Sequence, residues 1–259
     1  MLLAKAPKTG DYEVEPYSVQ EVQRLLKAAD QQRNSARWAV ALALGLRQGE
    51  VLGLKWEDVD LEGGFLVVRR SRHRPQYAHG CAEPCGRKAA GYCPQRRRTN
   101  PELSTTKSRA GRRAVGLPEQ LVDLLRAHLK AQEAERQGAG KRWEENSLVF
   151  PDEYGRSPSH RRDWTEWKAL LAEANVRDGR LHDARHTATT VLLILGVPER
   201  AGMGLMGWST TAMAARYQHM VDAVRADVAK QVDSLIWKTK IDRPDYGDDG
   251  AAGVTAREN

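Results

Sequence analysis

Residues 35–46, Ser-Ala-Arg-Trp-Ala-Val-Ala-Leu-Ala-Leu-Gly-Leu, carry apolar side chains on nearly every side of a helix. A helix at a protein surface shows one apolar stripe, so a helix that is apolar all round has to be enclosed by other elements. The segment therefore predicts a central helix with its neighbours laid around it in one core. No apolar run in the chain approaches the roughly 18 residues that cross a bilayer. The N-terminus also lacks a short apolar core followed by a small-residue cleavage site, so a cytoplasmic protein without a membrane partner is expected.

The flanking segments supply the surrounding layers. Residues 1–17 contain Pro7, Gly10 and Pro16 without periodicity and are expected to form a linker or arm. Ser18 and Glu21 make a Ser-x-x-Glu capping box, with Val22, Leu25 and Leu26 following at helical spacing. A short helix over 48–54 is closed by Trp56 and the acidic pair Glu57-Asp58. Gly63-Gly64 introduces a strand, Phe65-Leu66-Val67-Val68, and a second strand over 113–117 resumes a small antiparallel sheet. Pro118 suits the first turn of a long helix ending near Gly138, and 148–150 read as extended. Further helices are expected over about 158–174, 183–195, 198–206, 210–217 and 221–237, the last with a stripe from Val221 to Ile236. The sum is an α+β domain, mainly helical with one small sheet, over 18–237, followed by a disordered acidic tail over 238–259.

Charge is concentrated in one place. From Arg69 to Arg113 there are thirteen Lys or Arg against two acids, Glu83 and Glu102, whereas the tail from Ile241 is net acidic. Such density fits a surface that neutralises phosphates, with Arg96, Arg97, Arg98, Arg109 and Arg112 as candidate DNA contacts, though a solvated loop explains charge alone equally well. Segment 73–104 has no apolar periodicity and reads as an insertion. It holds all three cysteines, an odd number that argues against a disulfide framework. His79, Cys81, Cys85 and Cys93 give H-x-C-x3-C-x7-C, four ligands that suit a structural zinc ion, with His73 as a spare; incidental thiols are the other reading.

Five residues scattered along the chain have complementary chemistry: Arg47, Lys107, His182, Arg185 and Tyr217. Two arginine forks grip the non-bridging oxygens of a phosphate. A tyrosine supplies an oxygen nucleophile, and Lys or His moves protons at the attacking and leaving oxygens. Their contexts are Gly45-Leu-Arg-Gln-Gly-Glu50, Thr105-Thr-Lys-Ser-Arg109, Leu181-His-Asp-Ala-Arg-His-Thr-Ala-Thr-Thr190 and Leu205-Met-Gly-Trp-Ser-Thr-Thr-Ala-Met-Ala-Ala-Arg-Tyr-Gln-His219. In this order the four boxes resemble the catalytic domain of the tyrosine recombinase, or phage integrase, family over about residues 18–237.

The resemblance implies a site-specific recombinase that cleaves and rejoins duplex DNA through a 3′-phosphotyrosine, as a homotetramer on DNA and a monomer without it, with no cofactor for catalysis. It assigns Arg47 and Arg185 to the phosphate clamp and Lys107, on a β-hairpin turn, to the leaving 5′-oxygen. His182 falls to the tyrosine proton and Tyr217 to the nucleophile, with Glu50 and His186 in support. Trp208 stands where many members have His; its indole N–H donates a hydrogen bond but performs no acid–base step. His219 either assists the site or ends a helix. The helix over 221–237 is similar to the family segment that packs on a neighbouring subunit. Members usually carry a separate helical domain before the catalytic one, and only about seventeen residues precede the capping box here, so a truncated chain or half a clamp is expected. A type IB topoisomerase and a degenerate DNA-binding remnant remain as alternatives.

Overall fold

A computed structural model describes residues 15–105, 112–195 and 197–208. The expected helices over 210–217 and 221–237 and the acidic tail lie outside these residues. The capping box opens α1 (Val19–Ala29): the Glu21 amide donates to Ser18 Oγ at 3.2 Å and the Ser18 amide to Glu21 Oε2 at 2.8 Å. Two otherwise orphaned amides are satisfied, worth about 1 kcal/mol. Tyr17 belongs to the fold rather than to an arm. It is buried, its ring meets Trp167 edge-on at 5.9 Å, and its amide donates to Thr187 Oγ1 at 2.9 Å.

The all-apolar segment forms α2 (Ser35–Leu44), and it is central. Ala36, Ala39, Val40 and Leu44 face one cluster, with Val51, Leu66, Val115, Leu125 and Phe150. Trp38, Ala41 and Leu42 face another, with Leu25, Trp167, Leu170 and Leu171. The one charged residue of α2, Arg37, is just as deeply buried. Its Nε and Nη2 donate to both oxygens of Asp163 at 2.9 and 3.0 Å, and Gln48 adds a bond to Oδ2 at 2.8 Å. Such a pair tolerates burial because each charge faces its opposite in a two-point geometry.

Gly45 ends α2 in the left-handed region, with φ of +60°. A Cβ there would lie 3.0 Å from both Ala188 Cβ and Met206 Cε, so glycine is needed for the conformation and for the close approach. The chain turns directly into α3 (Gln48–Leu52). The remaining helices are α4 (Glu119–Ala139), α5 (His160–Glu173), α6 (Leu181–Ile194) and α7 (Glu199–Met206). Their bounds lie within two residues of the sequence reading, and Leu148 meets Lys55 in an isolated bridge. None of the helices among the described residues is long and apolar enough to cross a membrane.

The β-structure departs from the expected single sheet. Strands β1 (Val59–Asp60), β2 (Phe65–Val68) and β7 (Arg113–Gly116) form a three-stranded antiparallel sheet in the order β1-β2-β7. Strands β3 (Arg70–Arg72), β4 (Tyr77–Ala78), β5 (Arg97–Arg98) and β6 (Leu103–Thr105) form two further pairs, β3 with β6 and β4 with β5. These two pairs share one register. Arg70 faces Thr105, Arg72 faces Leu103, Tyr77 faces Arg98 and Ala78 faces Arg97. Between them His73 N donates to Glu102 O and Thr99 N to Gln76 O, both at 2.9 Å. Segment 73–104, expected as an insertion, is thus the outer part of one long hairpin. Its apolar periodicity is weak because a two-stranded arm with both faces wet has no core to face.

The hairpin turn is therefore the cysteine-containing segment. On the return side the register shifts by six residues between β6 and β7, the length of 106–111. Lys107, expected on a β-hairpin turn, lies outside the described residues.

Candidate active site

Three arginines from three parts of the chain converge on the last carbonyls of α7. Arg113 Nε, from β7, donates to Leu205 O at 2.6 Å; Arg185 Nη2, from α6, donates to Met206 O; Arg47 Nη2, just ahead of α3, donates to Gly207 O at 3.2 Å. A helix leaves its final carbonyls without partners inside the helix, and they carry the negative end of its dipole, so cations settle there. Gly207, at φ of +63°, ends α7 and turns the chain inward. Trp208 follows, buried against Ala188 and Met206 with Leu192 and Met203 beside them. The arginine cluster thereby holds the end of α7, which leads into Trp208.

Glu50 sits at the centre of the cluster and is 3% exposed. Its Oε2 accepts from Arg113 Nη2 at 2.9 Å and its Oε1 from Arg113 Nη1 at 3.1 Å, while Arg47 Nη1 reaches Oε1 at 2.8 Å. Burial alone would raise the carboxyl's pKa; the bonds and charge of Arg113, with help from Arg47, outweigh it and hold the pKa at about 2. Glu50 is consequently a fixed anion that orients two guanidinium groups and takes no part in proton transfer near neutral pH. Arg113 escaped the sequence reading because it stands on a strand without a motif. The one available signal was a charged residue at an inward position of the alternating run 113–116, which is buried, exposed, buried, exposed.

Arg185 is 3% exposed, and its Nη1 donates to Gly45 O at 2.6 Å. The left-handed turn at Gly45 thus aims a carbonyl at the same arginine that holds α7. Arg47 is far more open, its side chain 39% exposed, so of the two clamp candidates it has the freer face toward an incoming ligand.

His182 lies one turn before Arg185 on α6, with its ring edge-on to His186 at 4.7 Å and 89°. Partial burial and the positive charge of Arg185, with smaller effects from Arg47 and Arg180, lower its pKa. His186 is pushed down to about 4 by burial and by His182 and Arg185. Both imidazoles are neutral near pH 7, so His182 is equipped to accept a proton. Asp183 anchors this end of the helix, its Oδ2 accepting from the Arg180 amide at 2.7 Å.

The structure brings Arg47, Glu50, His182, Arg185, His186 and Trp208 into the region where α2, α3, α6 and α7 meet. Lys107, Arg109, Tyr217 and His219 lie outside the described residues. Arg96, Arg97, Arg98 and Arg112 are exposed, the first three on the return side of the hairpin near its tip. His79, Cys81, Cys85 and Cys93 come together at that tip, whereas His73 points its Nε2 at Ser104 Oγ.

The described residues thus form layered helices with small antiparallel sheets and an arginine cluster set on a helix end. The chain belongs to the phage integrase family, whose model matches residues 17–223. It is 43% identical to an integrase of Saccharopolyspora erythraea over 92% of this chain and 61% of that protein. It is 29% identical to a XerC-like tyrosine recombinase of Caldanaerobacter subterraneus over 90% of this chain and 61% of that protein. The chain thus spans about three fifths of the length of these relatives. Among solved structures the fold is similar to the XerA recombinase, with a TM-score of 0.62 at 20% identity over 85% of this chain and 65% of that one. It is also similar to the Tn1549 transposon integrase in complex with transposon right-end DNA, with a TM-score of 0.61 at 17% identity over 86% and 68% of the two chains.

Proposed function

We propose that this chain is the strand-cleaving domain of a site-specific DNA recombinase that acts in the cytoplasm on duplex DNA and assembles as a tetramer there. The observation that carries the reading is the arginine cluster on the end of α7. It combines two forks, Arg47 and Arg185, with a neutral imidazole, His182, ahead of the segment holding Tyr217.

In the proposed reaction, Arg47 and Arg185 hold the non-bridging oxygens of one DNA phosphate. Their charge stabilises the extra negative charge of the five-coordinate transition state. The Tyr217 oxygen attacks phosphorus and its phenolic proton passes to His182. The bond from phosphorus to the 5′-oxygen breaks, and that oxygen takes a proton from Lys107. A 3′-phosphotyrosine and a free 5′-hydroxyl result. Attack by a 5′-hydroxyl of another strand reverses each step, returns the proton to Tyr217 and rejoins DNA. One phosphodiester replaces another, so no nucleotide cofactor is needed. Trp208 braces the end of α7 through its buried ring, while Arg96, Arg97, Arg98, Arg109 and Arg112 offer charge to the DNA backbone.

The test is a nicked suicide duplex incubated with the chain, then denatured. A covalent protein–DNA adduct that disappears in Tyr217→Phe is the expected result. No adduct with the unaltered chain overturns the reading in favour of a DNA-binding remnant, and an adduct that survives Tyr217→Phe overturns the nucleophile. Relaxation of supercoils without exchange between two sites would make the chain topoisomerase-like.

A further inference from the structure

The tip of the long hairpin raises a separate question: what holds it together? Over 79–96 Cys93 is the one buried residue, so there is no apolar core to close this eighteen-residue turn. Segments without a core need a covalent or metal staple. The tip also carries Arg87, Lys88, Arg96 and Arg97, whose repulsion opposes closure.

Four soft ligand atoms meet there. His79 Nδ1, Cys81 Sγ, Cys85 Sγ and Cys93 Sγ all lie within 4.8 Å of one another. Cys93 Sγ is 3.7 Å from Cys81 Sγ, and His79 Nδ1 is 3.4 Å from Cys85 Sγ and 4.0 Å from Cys81 Sγ. Tetrahedral zinc with bonds of about 2.3 Å to sulfur and about 2.0 Å to nitrogen sets its ligand atoms about 3.5–3.8 Å apart. A disulfide needs about 2.05 Å, so no pair here is one.

The surroundings are built for the cluster. His79 and Cys81 follow β4, Cys93 precedes β5, and Cys85 lies in the turn between, so a shared ion would tie both arms of the hairpin. A Cβ on Gly80 would fall on the Gln95 carbonyl, so the two ligand-bearing turns pack closely only because residue 80 is glycine.

The geometry points to a structural zinc site in which His79, Cys81, Cys85 and Cys93 bind one Zn2+ and staple the tip of the basic hairpin. On binding, the three thiols release three protons to solvent and His79 coordinates through its neutral Nδ1. The dication with three thiolates carries one net negative charge, which the neighbouring arginines and lysine offset. All four ligand positions are taken by protein, so the ion has no open site for a reacting water. Strand β5, with Arg97 and Arg98, is held in register as a consequence.

The test is the metal content of the full chain, purified under reducing conditions without chelator from zinc-supplemented cells. About one zinc per chain is expected, falling below about a tenth in Cys85→Ser. Cobalt(II) loaded in place of zinc should give the visible bands of a tetrahedral thiolate complex, and His79→Ala should shift or abolish them. Chelation should raise tryptic cleavage at Arg96 and Arg97 by about tenfold, reflecting local opening of the tip. Under about a tenth of a zinc per unaltered chain overturns the proposal. So does unchanged zinc in Cys85→Ser, or a Cys81–Cys93 disulfide as the native state. None of the four ligands is assigned to strand cleavage, so the adduct assay reports independently on that reading.

Discussion

The buried carboxylate Glu50 allows a quantitative test of how the arginine cluster is held. Its folded pKa lies at about 2 against an ordinary 4.5. At 1.36 kcal/mol per unit this is a contribution of about 3 kcal/mol to stability at pH 7. Almost no discount for solvent is needed, because the side chain is 3% exposed. Glu50→Gln keeps the shape but removes the charge, leaving Arg113 buried beside a neutral amide. The expected loss is about 3 kcal/mol, at the lower edge of what breaking a buried pair costs. The sign of the pH dependence follows from the depressed value. The contribution is whole above pH 4.5 and fades as pH falls toward 2, shrinking to about 1 kcal/mol by pH 3. Urea unfolding followed by tryptophan fluorescence at pH 7 and at pH 3 measures both quantities. The gap between the unaltered chain and Glu50→Gln should narrow between these two values. Pairing it with Arg113→Met should recover part of the loss, since both charges then leave together. A Glu50→Gln chain within about 0.5 kcal/mol of the parent at pH 7, or a gap that widens in acid, would refute the assignment.

Gly45→Ala should cost about 1–2 kcal/mol from the left-handed backbone alone, with more from the crowding by Ala188 and Met206. It should also slow adduct formation by displacing the carbonyl that holds Arg185; thermal unfolding and the suicide-substrate assay check the two effects. Arg37→Met strands Asp163 in the core and should destabilise by about 3–5 kcal/mol, much of it regained in Arg37→Met/Asp163→Leu, as denaturant titration would show. Because His182 works as a neutral base and its pKa is lowered, the cleavage rate should fall only as pH drops below about 6.5. A single-turnover profile with that limb above pH 6.5 would remove His182 from the role.

Much of this protein was legible in the order of its residues. Helical periodicity, the Ser18–Glu21 capping box and the all-apolar run at 35–46 are local signals, and each produces its element wherever the rest of the chain lies. The Arg47, His182–Arg185 and Gly207–Trp208 boxes were readable for the same reason, since each is a short run of neighbours. What could not be read were partnerships over long separations. Arg113 meets Glu50 across sixty-three positions, and it meets Leu205 across ninety-two. Neither has any trace in spacing. The hairpin was hidden as well: a two-stranded arm with wet faces lacks the alternation that marks a strand over a core, so its register emerges only from pairing.

Sequence alone therefore determined the helices of the described residues, the buried central one among them, and the types of residue available for phosphate chemistry, because these depend on near neighbours and side-chain character. Only the tertiary structure decided that three arginines share the carbonyls ending α7, that Glu50 is their buried counter-charge, and that three cysteines and a histidine meet at a hairpin tip. Those facts arise where distant segments pack, and the energy of a buried charge or a ligand cluster exists only once its partners have been brought within a few ångströms.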